Sequence, residues 1–337
     1  MDTGWMDRKA TQDNLRPLVK AGVLSPGELE QALRIAGIIP DGKAWGRFLN
    51  TLFLMLGSIF LAAGVIFFFA YNWDSMHRLL KLAVVQTALI ITIVVSSYHG
   101  FEKLPGKASL LVSCILVGAL FALFGQIYQT GADAYELFLA WSAFITGWVI
   151  ISNFAVLWLL LLILLEAALF LYWAQVVEMS WFIYRSPVIY ELIFGINVLA
   201  LTLWELFSSR GVAWLRGRWI PRLVASIGLF FLMIPLVILI VDRHALSPGS
   251  KYNMLLPLLY IASVGFVLWF YRSLIFDLYM IALTLLSVIV LISIFFARHI
   301  GSNYGGFLLL SLLIVGLSAG TAAWLRSLAR KQSSEIL

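Results

Sequence analysis

The polar residues that end the first long apolar segment could form part of a binding site. In the stretch FFFAYNWDSM, the apolar run stops at Asn72, Trp73 and Asp74. An amide and a carboxylate can bind the polar groups of a solute, and an indole ring can stack on a sugar-like ligand. The alternative is an ordinary exit from a membrane, in which Trp73 anchors the helix end at the interface and Asn72 caps it.

A second polar cluster ends another apolar segment further along the chain. A Gln within an apolar run should find a polar partner rather than face hydrocarbon, so we expect Gln126 to meet other polar groups. Both segments would cross a membrane in the same direction, which puts both clusters at the same face. The sequence therefore predicts a pocket at that face, lined by Asn72, Trp73, Asp74, Gln126, Tyr128, Gln129 and Asp133.

One carboxylic acid lies deep inside an apolar segment. Glu166 stands just past the middle of LLLLILLEAALFLYW, where a charge is costly, so it must face other helices, carry a proton or find a partner. Asn197, in the next apolar segment, is the best candidate partner. Glu166 is then either a proton- or ion-coupling group or a structural, hydrogen-bonded Glu. By contrast, Glu191, Glu205 and Asp277 lie near segment ends, where we expect them to extend toward water.

Patterns that would indicate catalysis or metal binding are weak. The four histidines lie on different loops and lack the spacing of metal ligands. A single cysteine, Cys114, excludes an intrachain disulfide and a cysteine-based cluster. We therefore expect no metal and no cofactor. An enzyme that acts on an envelope lipid, with Asp74 and His77 as an acid/base pair, is the weakest of the functional hypotheses.

The composition requires a membrane as the solvent. Of the 337 residues, 62% are hydrophobic and only 12% are charged, and the mean hydropathy is +0.97. So few charges cannot cover the surface of a soluble globular protein. The net charge of +6 requires no nucleic acid as a partner, because membrane proteins retain Lys and Arg in their cytoplasmic loops.

The apolar residues fall into ten segments of roughly twenty residues, the length at which a helix crosses about 30 Å of hydrocarbon. The predicted fold class is therefore an all-α polytopic membrane protein. The fourth and fifth segments have only Ser152 and Asn153 between them, and the eighth and ninth are barely separated by Ser273. The predicted spans are 48–71, 79–98, 108–128, 134–151, 154–173, 188–207, 222–241, 252–271, 274–297 and 304–325.

Basic residues predict the orientation of these spans. With the N-terminus inside, most of the 23 Lys and Arg residues fall in inside loops or at the termini. Both termini are then cytoplasmic, and the two polar clusters face outward. Much of this bias comes from residues that are either a topology anchor or a site for anionic lipid. They are Arg210, Arg216, Arg218 and Arg222.

Residues 1–47 form the only sizeable water-soluble segment. Within it, NLRPLVKAGVLSPGELEQALRIAG predicts two short helices separated by Gly22. Ser25 and Glu28 predict a capping box at the start of the second helix, with Pro26 at its first position. A hairpin of this size is too small to be stable alone, so it should pack on the membrane domain or on a cytoplasmic protein. The predicted division is 1–47, 48–151, 152–325 and a cytoplasmic tail, 326–337.

Three motifs in the first half of the chain resemble a known family. They are LVKAGVLSPGELEQAL, LGSIFLAAGVIFFFAYNWD and FGQIYQTGADAYELFLAW, in that order between residues 18 and 141. In these motifs the sequence resembles the bacterial predicted membrane proteins of the domain of unknown function 2157 family. This resemblance implies a polytopic fold in a bacterial inner membrane, and it implies no particular activity.

Two main hypotheses for the function follow from the sequence. The first is binding or transport of a small polar solute at the outward-facing pocket, with Glu166 and Asn197 as candidates for ion coupling. The second is a membrane scaffold or envelope sensor that contacts a cytoplasmic protein through the N-terminal hairpin. Either protein would have the lipid bilayer as its surroundings, and the sequence determines neither the ligand nor the oligomeric state.

Overall fold

The computed structural model describes residues 25–35, 42–71, 77–177, 187–242, 255–299 and 304–335. In these residues the chain is entirely helical, with eleven α-helices and no strand. Ten of the helices are long and apolar enough to cross a membrane. The predicted all-α polytopic fold is thereby confirmed. The chain divides into two compact units, Met1–Ile127 and Tyr128–Leu337.

The long helices agree with the predicted spans to within a few residues at most of their ends. The largest differences are at the two outermost helices, which continue into polar sequence because backbone hydrogen bonding does not stop where hydropathy falls. The helices are α1 (Pro26–Ile35), α2 (Gly42–Tyr71), α3 (Arg78–His99), α4 (Leu104–Tyr128), α5 (Ala134–Ser152), α6 (Ala155–Tyr172), α7 (Val188–Ser209), α8 (Trp219–Val241), α9 (Leu255–Ser273), α10 (Leu278–His299) and α11 (Tyr304–Glu335).

Helix α1 begins with the capping box that the sequence predicts. The Ser25 backbone N–H donates to Glu28 Oε2 at 2.7 Å, and the Glu28 N–H donates to Ser25 Oγ at 3.3 Å. The backbone hydrogen bond from Ser25 lowers the pKa of the Glu28 carboxyl. The first helix of the predicted hairpin lies outside the described residues, so the hairpin itself stays a prediction.

In the first unit, α2, α3 and α4 form the core. Ala62 of α2 packs with Val112 and Leu116 of α4, and Val85 of α3 packs with Leu123 of α4. Within the span, a polar contact also joins α3 to α4, where Ser113 Oγ donates to Thr92 Oγ1 at 2.8 Å. Small and branched apolar side chains therefore provide most of the packing between these three helices.

The turn from α3 to α4 is tight and depends on two glycines. Gly100 has a φ of +82°, a conformation that side chains other than glycine rarely adopt. At Gly106 a Cβ would collide with the carbonyl oxygen of Gly100. The Gly106 carbonyl also accepts a hydrogen bond from Ser96 Oγ at 2.8 Å. The end of α3 therefore lies directly against the first turn of α4.

We predict that Gly106→Ala destabilises the protein by about 1–3 kcal/mol, because the methyl group has no room beside the Gly100 backbone. Thermal unfolding in detergent measures the change. Gly64→Ala is the matched control, because nothing lies within 4 Å of a Cβ at Gly64. If both variants unfold at the temperature of the wild type, the close approach of α3 and α4 is wrong.

In the second unit, the two least separated pairs of spans are resolved into separate helices. Asn153 adopts a left-handed conformation, with a φ of 47°, and so ends α5 before α6 begins. Between α9 and α10, the Asp277 carboxylate accepts a hydrogen bond from the Tyr279 backbone N–H at 3.0 Å. An N-cap of this kind marks the start of a new helix. Both boundaries are confirmed.

Helix α8 lies at the centre of the second unit. It packs against α7 and α10, and α10 also packs against α9 and α11. Leu232 of α8 is fully buried in a cluster that includes Leu256 of α9 and Leu291 of α10. A second cluster joins Tyr271 of α9 and Met280 of α10 to neighbouring side chains of α11. These contacts hold α7 to α10 in fixed positions around the polar residues described next.

Candidate functional site

Helices α6 and α7 bring together the two polar side chains that lie deepest in the predicted spans. Glu166 of α6 is 7% exposed and Asn197 of α7 is 2% exposed. Asn197 Nδ2 donates to Glu166 Oε1 at 2.6 Å and also to the backbone oxygen of Ile193 at 2.9 Å. The carboxyl of Glu166 therefore faces a neighbouring helix, as its depth in the apolar segment requires.

Hydrogen bonding in this pair is incomplete. Asn197 Oδ1 is buried and has no hydrogen-bond partner among the described residues. An unsatisfied buried acceptor costs about 1–3 kcal/mol, so such atoms are few in native proteins. Glu166 also takes part in none of the ion pairs that the described residues form. The pair thus combines a carboxyl group with an unused amide oxygen, both of which can bind a proton donor or a small cation.

Helix α8 supports the pair from the other side. A Cβ at Gly228 would lie 2.9 Å from the Cβ of Asn197, closer than side-chain atoms normally approach. Glycine at this position therefore lets α8 lie directly against α7 at the level of Asn197. The amide is held between Glu166 on α6 and the backbone of α8.

A second polar cluster lies at one end of the same unit. Arg218, in the loop before α8, donates through Nη1 to both carboxylate oxygens of Glu205 at 2.8 Å. The Tyr271 hydroxyl donates to Glu205 Oε1 at 3.0 Å. These bonds join the end of α7 to the end of α9 and to the loop that leads into α8. A bidentate pair of this kind is among the stronger ionic contacts in proteins.

Asp277 completes this cluster. Its carboxylate accepts hydrogen bonds from Arg218 Nε at 3.1 Å and from Arg222 Nε and Nη2 at 3.2 Å each. The side chain of Asp277 is 1% exposed. Because the same carboxylate caps α10, the cluster fixes the ends of four helices relative to one another. We refer to Glu205, Arg218, Arg222 and Asp277 as the ionic cluster.

The charges of the ionic cluster compensate one another. Burial raises the pKa of the Asp277 carboxyl, but the hydrogen bonds from Arg222 and Arg218 outweigh it and lower the pKa overall. Burial alone would lower the pKa of the Arg218 guanidinium. The Glu205 and Asp277 carboxylates outweigh burial, so the pKa of Arg218 is raised overall. Two guanidinium groups thus neutralise two carboxylates. This pairing accounts for Arg218 and Arg222 without an anionic lipid.

The residues of the predicted outer pocket are only partly described. Asn72, Trp73 and Asp74 lie outside the described residues. Gln126 is exposed near the end of α4 and belongs to the first unit. Because the other described candidates, Tyr128, Gln129 and Asp133, belong to the second unit, the pocket stays a prediction.

The remaining pocket candidates lie at the last residue of α4 and in the connection from α4 to α5. Tyr128 is 54% exposed, and Gln129 has a φ of 44°, the left-handed conformation that often follows the end of a helix. The Asp133 backbone N–H donates to the carboxylate of Glu136 at 3.2 Å, as at the start of a capped helix. Local helix-ending and helix-starting roles therefore account for Gln129 and Asp133. In the described parts of the chain, no group of three or more His, Cys, Asp or Glu could hold a metal ion.

Comparison with known proteins agrees with the motifs between residues 18 and 141. Residues 16–158 match the family model described as "Predicted membrane protein (DUF2157)". The resemblance predicted from the three motifs is thereby confirmed for this stretch, which covers α1 to α5 and the first residues of α6. No curated protein and no solved structure matches the chain.

The expectation that Glu205 and Asp277 extend toward water is wrong. Both are buried, because Arg218 and Arg222 reach them from the loop before α8 and its first turn. A signal for this pairing was present in the sequence. With ten spans, the loop that contains Arg218 and the loop that contains Asp277 must lie on the same side of the membrane, where opposite charges can meet.

We predict that Glu205→Gln destabilises the protein by about 1–3 kcal/mol, because it removes one of the two carboxylates that pair with the partly exposed guanidinium of Arg218. Thermal unfolding in detergent measures the effect. Glu191→Gln, the same change near the other end of α7, is the control and should alter stability by less than about 1 kcal/mol. Equal stability of the two variants would contradict the ionic cluster.

Proposed function

We propose that the protein binds or transports a small polar solute and couples this to a proton or small cation bound at Glu166 and Asn197. The observation that supports the proposal most is the buried hydrogen bond from Asn197 Nδ2 to Glu166 Oε1, beside an amide oxygen that has no partner. A purely structural pair would be expected to satisfy its acceptors. Ionisable residues inside spanning helices are expensive to retain, and they commonly mark ion pathways and proton relays.

A proton or cation suits the chemistry of the pair. In hydrocarbon, a carboxylate without a positive partner is strongly disfavoured, so binding of a proton or cation would remove that cost. The oxygens of Glu166 and Asn197 would supply ligands of the type that alkali and alkaline-earth cations prefer. Glu166 and Asn197 would then alternate between a state with a bound proton or cation and a state without one.

For the solute itself, we propose the outward-facing pocket of the sequence analysis, with both termini in the cytoplasm of a bacterial cell. Gln126 and Tyr128, two of its proposed residues, are exposed near the end of α4. The family to which residues 16–158 are similar supports a membrane location and is silent on the solute.

We predict that a cation or a change of pH stabilises the wild type but not Glu166→Gln. Purified protein in detergent would be heated across a series of pH values and with Na⁺, K⁺, Li⁺ or NH₄⁺, with and without a panel of sugars, amino acids and nucleotides. A ligand at a hundred times its Kd should add about 2.7 kcal/mol to the stability of the wild type. Uptake into vesicles of any solute that stabilises should depend on the same cation.

Glu191→Gln is the matched control, because it makes the same change on α7 but away from the pair. This variant should respond to cations and solutes as the wild type does. If Glu166→Gln keeps the full response, the coupling role is wrong. If no condition stabilises the wild type, solute binding is wrong as well, and a scaffold role through α1 becomes the better hypothesis.

A further inference from the structure

The second unit contains a cavity of about 780 Å³. The proposed function gives this cavity no ligand. Residues of α7, α8, α9 and α10 line it. Along α7 it extends from Asn197 to Ser209, which is about 18 Å at 1.5 Å per residue. The cavity therefore runs from the middle of a spanning helix to its loop end, close to half the thickness of a bilayer core of about 30 Å.

The cavity wall is chemically apolar. Most of the lining side chains are aliphatic or aromatic. The Ser and Thr hydroxyl groups on the wall donate within their own helices: Thr202 to Val198 O, Ser209 to Leu206 O, Ser263 to Leu259 O and Thr284 to Met280 O, at 2.7–2.8 Å. The amide of Asn197 is the polar group at the inner end of the wall. Such a wall offers few polar groups to water or to a sugar, and apolar cavities of this kind take apolar guests.

At its loop end the cavity meets the ionic cluster. Glu205 and Tyr271 both line the cavity there. Their polar atoms are already engaged, since Glu205 accepts from Arg218 and from the Tyr271 hydroxyl. A charged ligand would have to break these bonds. The loop end therefore places charged groups near the level of lipid headgroups without offering a free charge inside the cavity.

The side of the cavity faces the surroundings of the bundle. Helices α7 and α9 both border it, but their close packing is on α8 and α10 rather than on each other. Lining residues on both helices are exposed, including Val198 at 44% and Phe266 at 59%. In a membrane, this exposed rim contacts hydrocarbon. A chain from the bilayer can thus enter sideways, between α7 and α9.

We propose that this crevice between α7 and α9 binds one acyl chain of a membrane lipid, with the lipid headgroup at the level of the ionic cluster. The length, the apolar wall and the lateral opening all fit an extended hydrocarbon chain. The inner end of the crevice is lined by Asn197 of the pair, but an acyl chain in the crevice requires no ion at Glu166.

Photolabelling in vesicles tests the site. The full chain is reconstituted in phosphatidylethanolamine and phosphatidylglycerol vesicles that contain a phospholipid with a diazirine at the end of one acyl chain. After irradiation, adducts are mapped by mass spectrometry. We expect adducts on the buried residues Val224 or Thr284, each 4% exposed, as well as on lipid-facing Leu308 and Leu309 of α11.

Two variants separate occupancy of the crevice from general contact with lipid. Ala262→Phe places a ring on the lining of the crevice and should lose most interior adducts, while the adducts on α11 persist. Ala319→Phe makes the same change on an exposed position of α11 and should keep the interior adducts. Both variants should unfold at or above the temperature of the wild type, because both positions are exposed.

Two results would overturn the proposal. One is labelling of α11 without any adduct at Val224 or Thr284 in the wild type, or equal interior labelling in Ala262→Phe. The other is rapid modification of Thr284→Cys by a hydrophilic thiol reagent, which would mean that water fills the crevice. The wild type supplies the background, because Cys114 is buried.

Discussion

Hydrocarbon cannot satisfy polar groups, and this constraint decides where every polar side chain of the second unit lies. Each must find its partner inside the protein, since the cost of leaving it unpaired is several kcal/mol. The ionic cluster balances its charges: Arg218 and Arg222 contact Glu205 and Asp277, and the Asp277 carboxylate also caps α10. Among the described residues, its one buried polar atom without a hydrogen bond is Arg218 Nη2, which still lies 3.1 Å from Asp277 Oδ2. Because these residues belong to different helices and loops, satisfying them also fixes how the helices end.

The pair formed by Glu166 and Asn197 differs from the ionic cluster in its charge. Its two side chains are as buried as the two carboxylates of the ionic cluster, but among the described residues no basic side chain pairs with the Glu166 carboxyl, and Asn197 Oδ1 has no hydrogen-bond partner. Proteins tend to depart from full polar satisfaction where function requires it. The contrast between a compensated cluster and an uncompensated pair, in one helical unit, is the physical basis for proposing an ion or proton at Glu166.

Much of the architecture could be predicted from the sequence because it depends on local physics. Spans follow from hydropathy over about twenty residues, the start of α1 follows from Ser25 and Glu28, and the short turn at Asn153 follows from the left-handed conformation that Asn tolerates. The depth of Glu166 also follows from its place in an apolar run. The depth of Glu166 in the span does not show which side chain of a neighbouring helix it contacts. That depends on helix rotation and neighbours, and for Asn197 it depends on a glycine in a third helix, Gly228.

The ionic cluster escaped prediction for the same reason. Glu205 and Asp277 are far apart in the chain, and each taken alone resembles a side chain that reaches water. An even number of spans separates the end of α7 from the start of α10, so both lie on the same side of the membrane. Helix packing then brings Arg218 into contact with both Glu205 and Asp277. The predicted outer pocket has a different status, because Asn72, Trp73 and Asp74 lie outside the described residues and the other members divide between two units.

A double-mutant cycle on Glu166 and Asn197 tests the central claim most directly. The free energies of unfolding of the wild type, Glu166→Leu, Asn197→Leu and the double variant would be measured in the same detergent. Direct contact predicts that the two effects are not additive and that the coupling free energy is about 0.5–3 kcal/mol. Effects that add to within about 0.3 kcal/mol would mean that the two side chains do not interact, and the proposal for Glu166 would lose its basis.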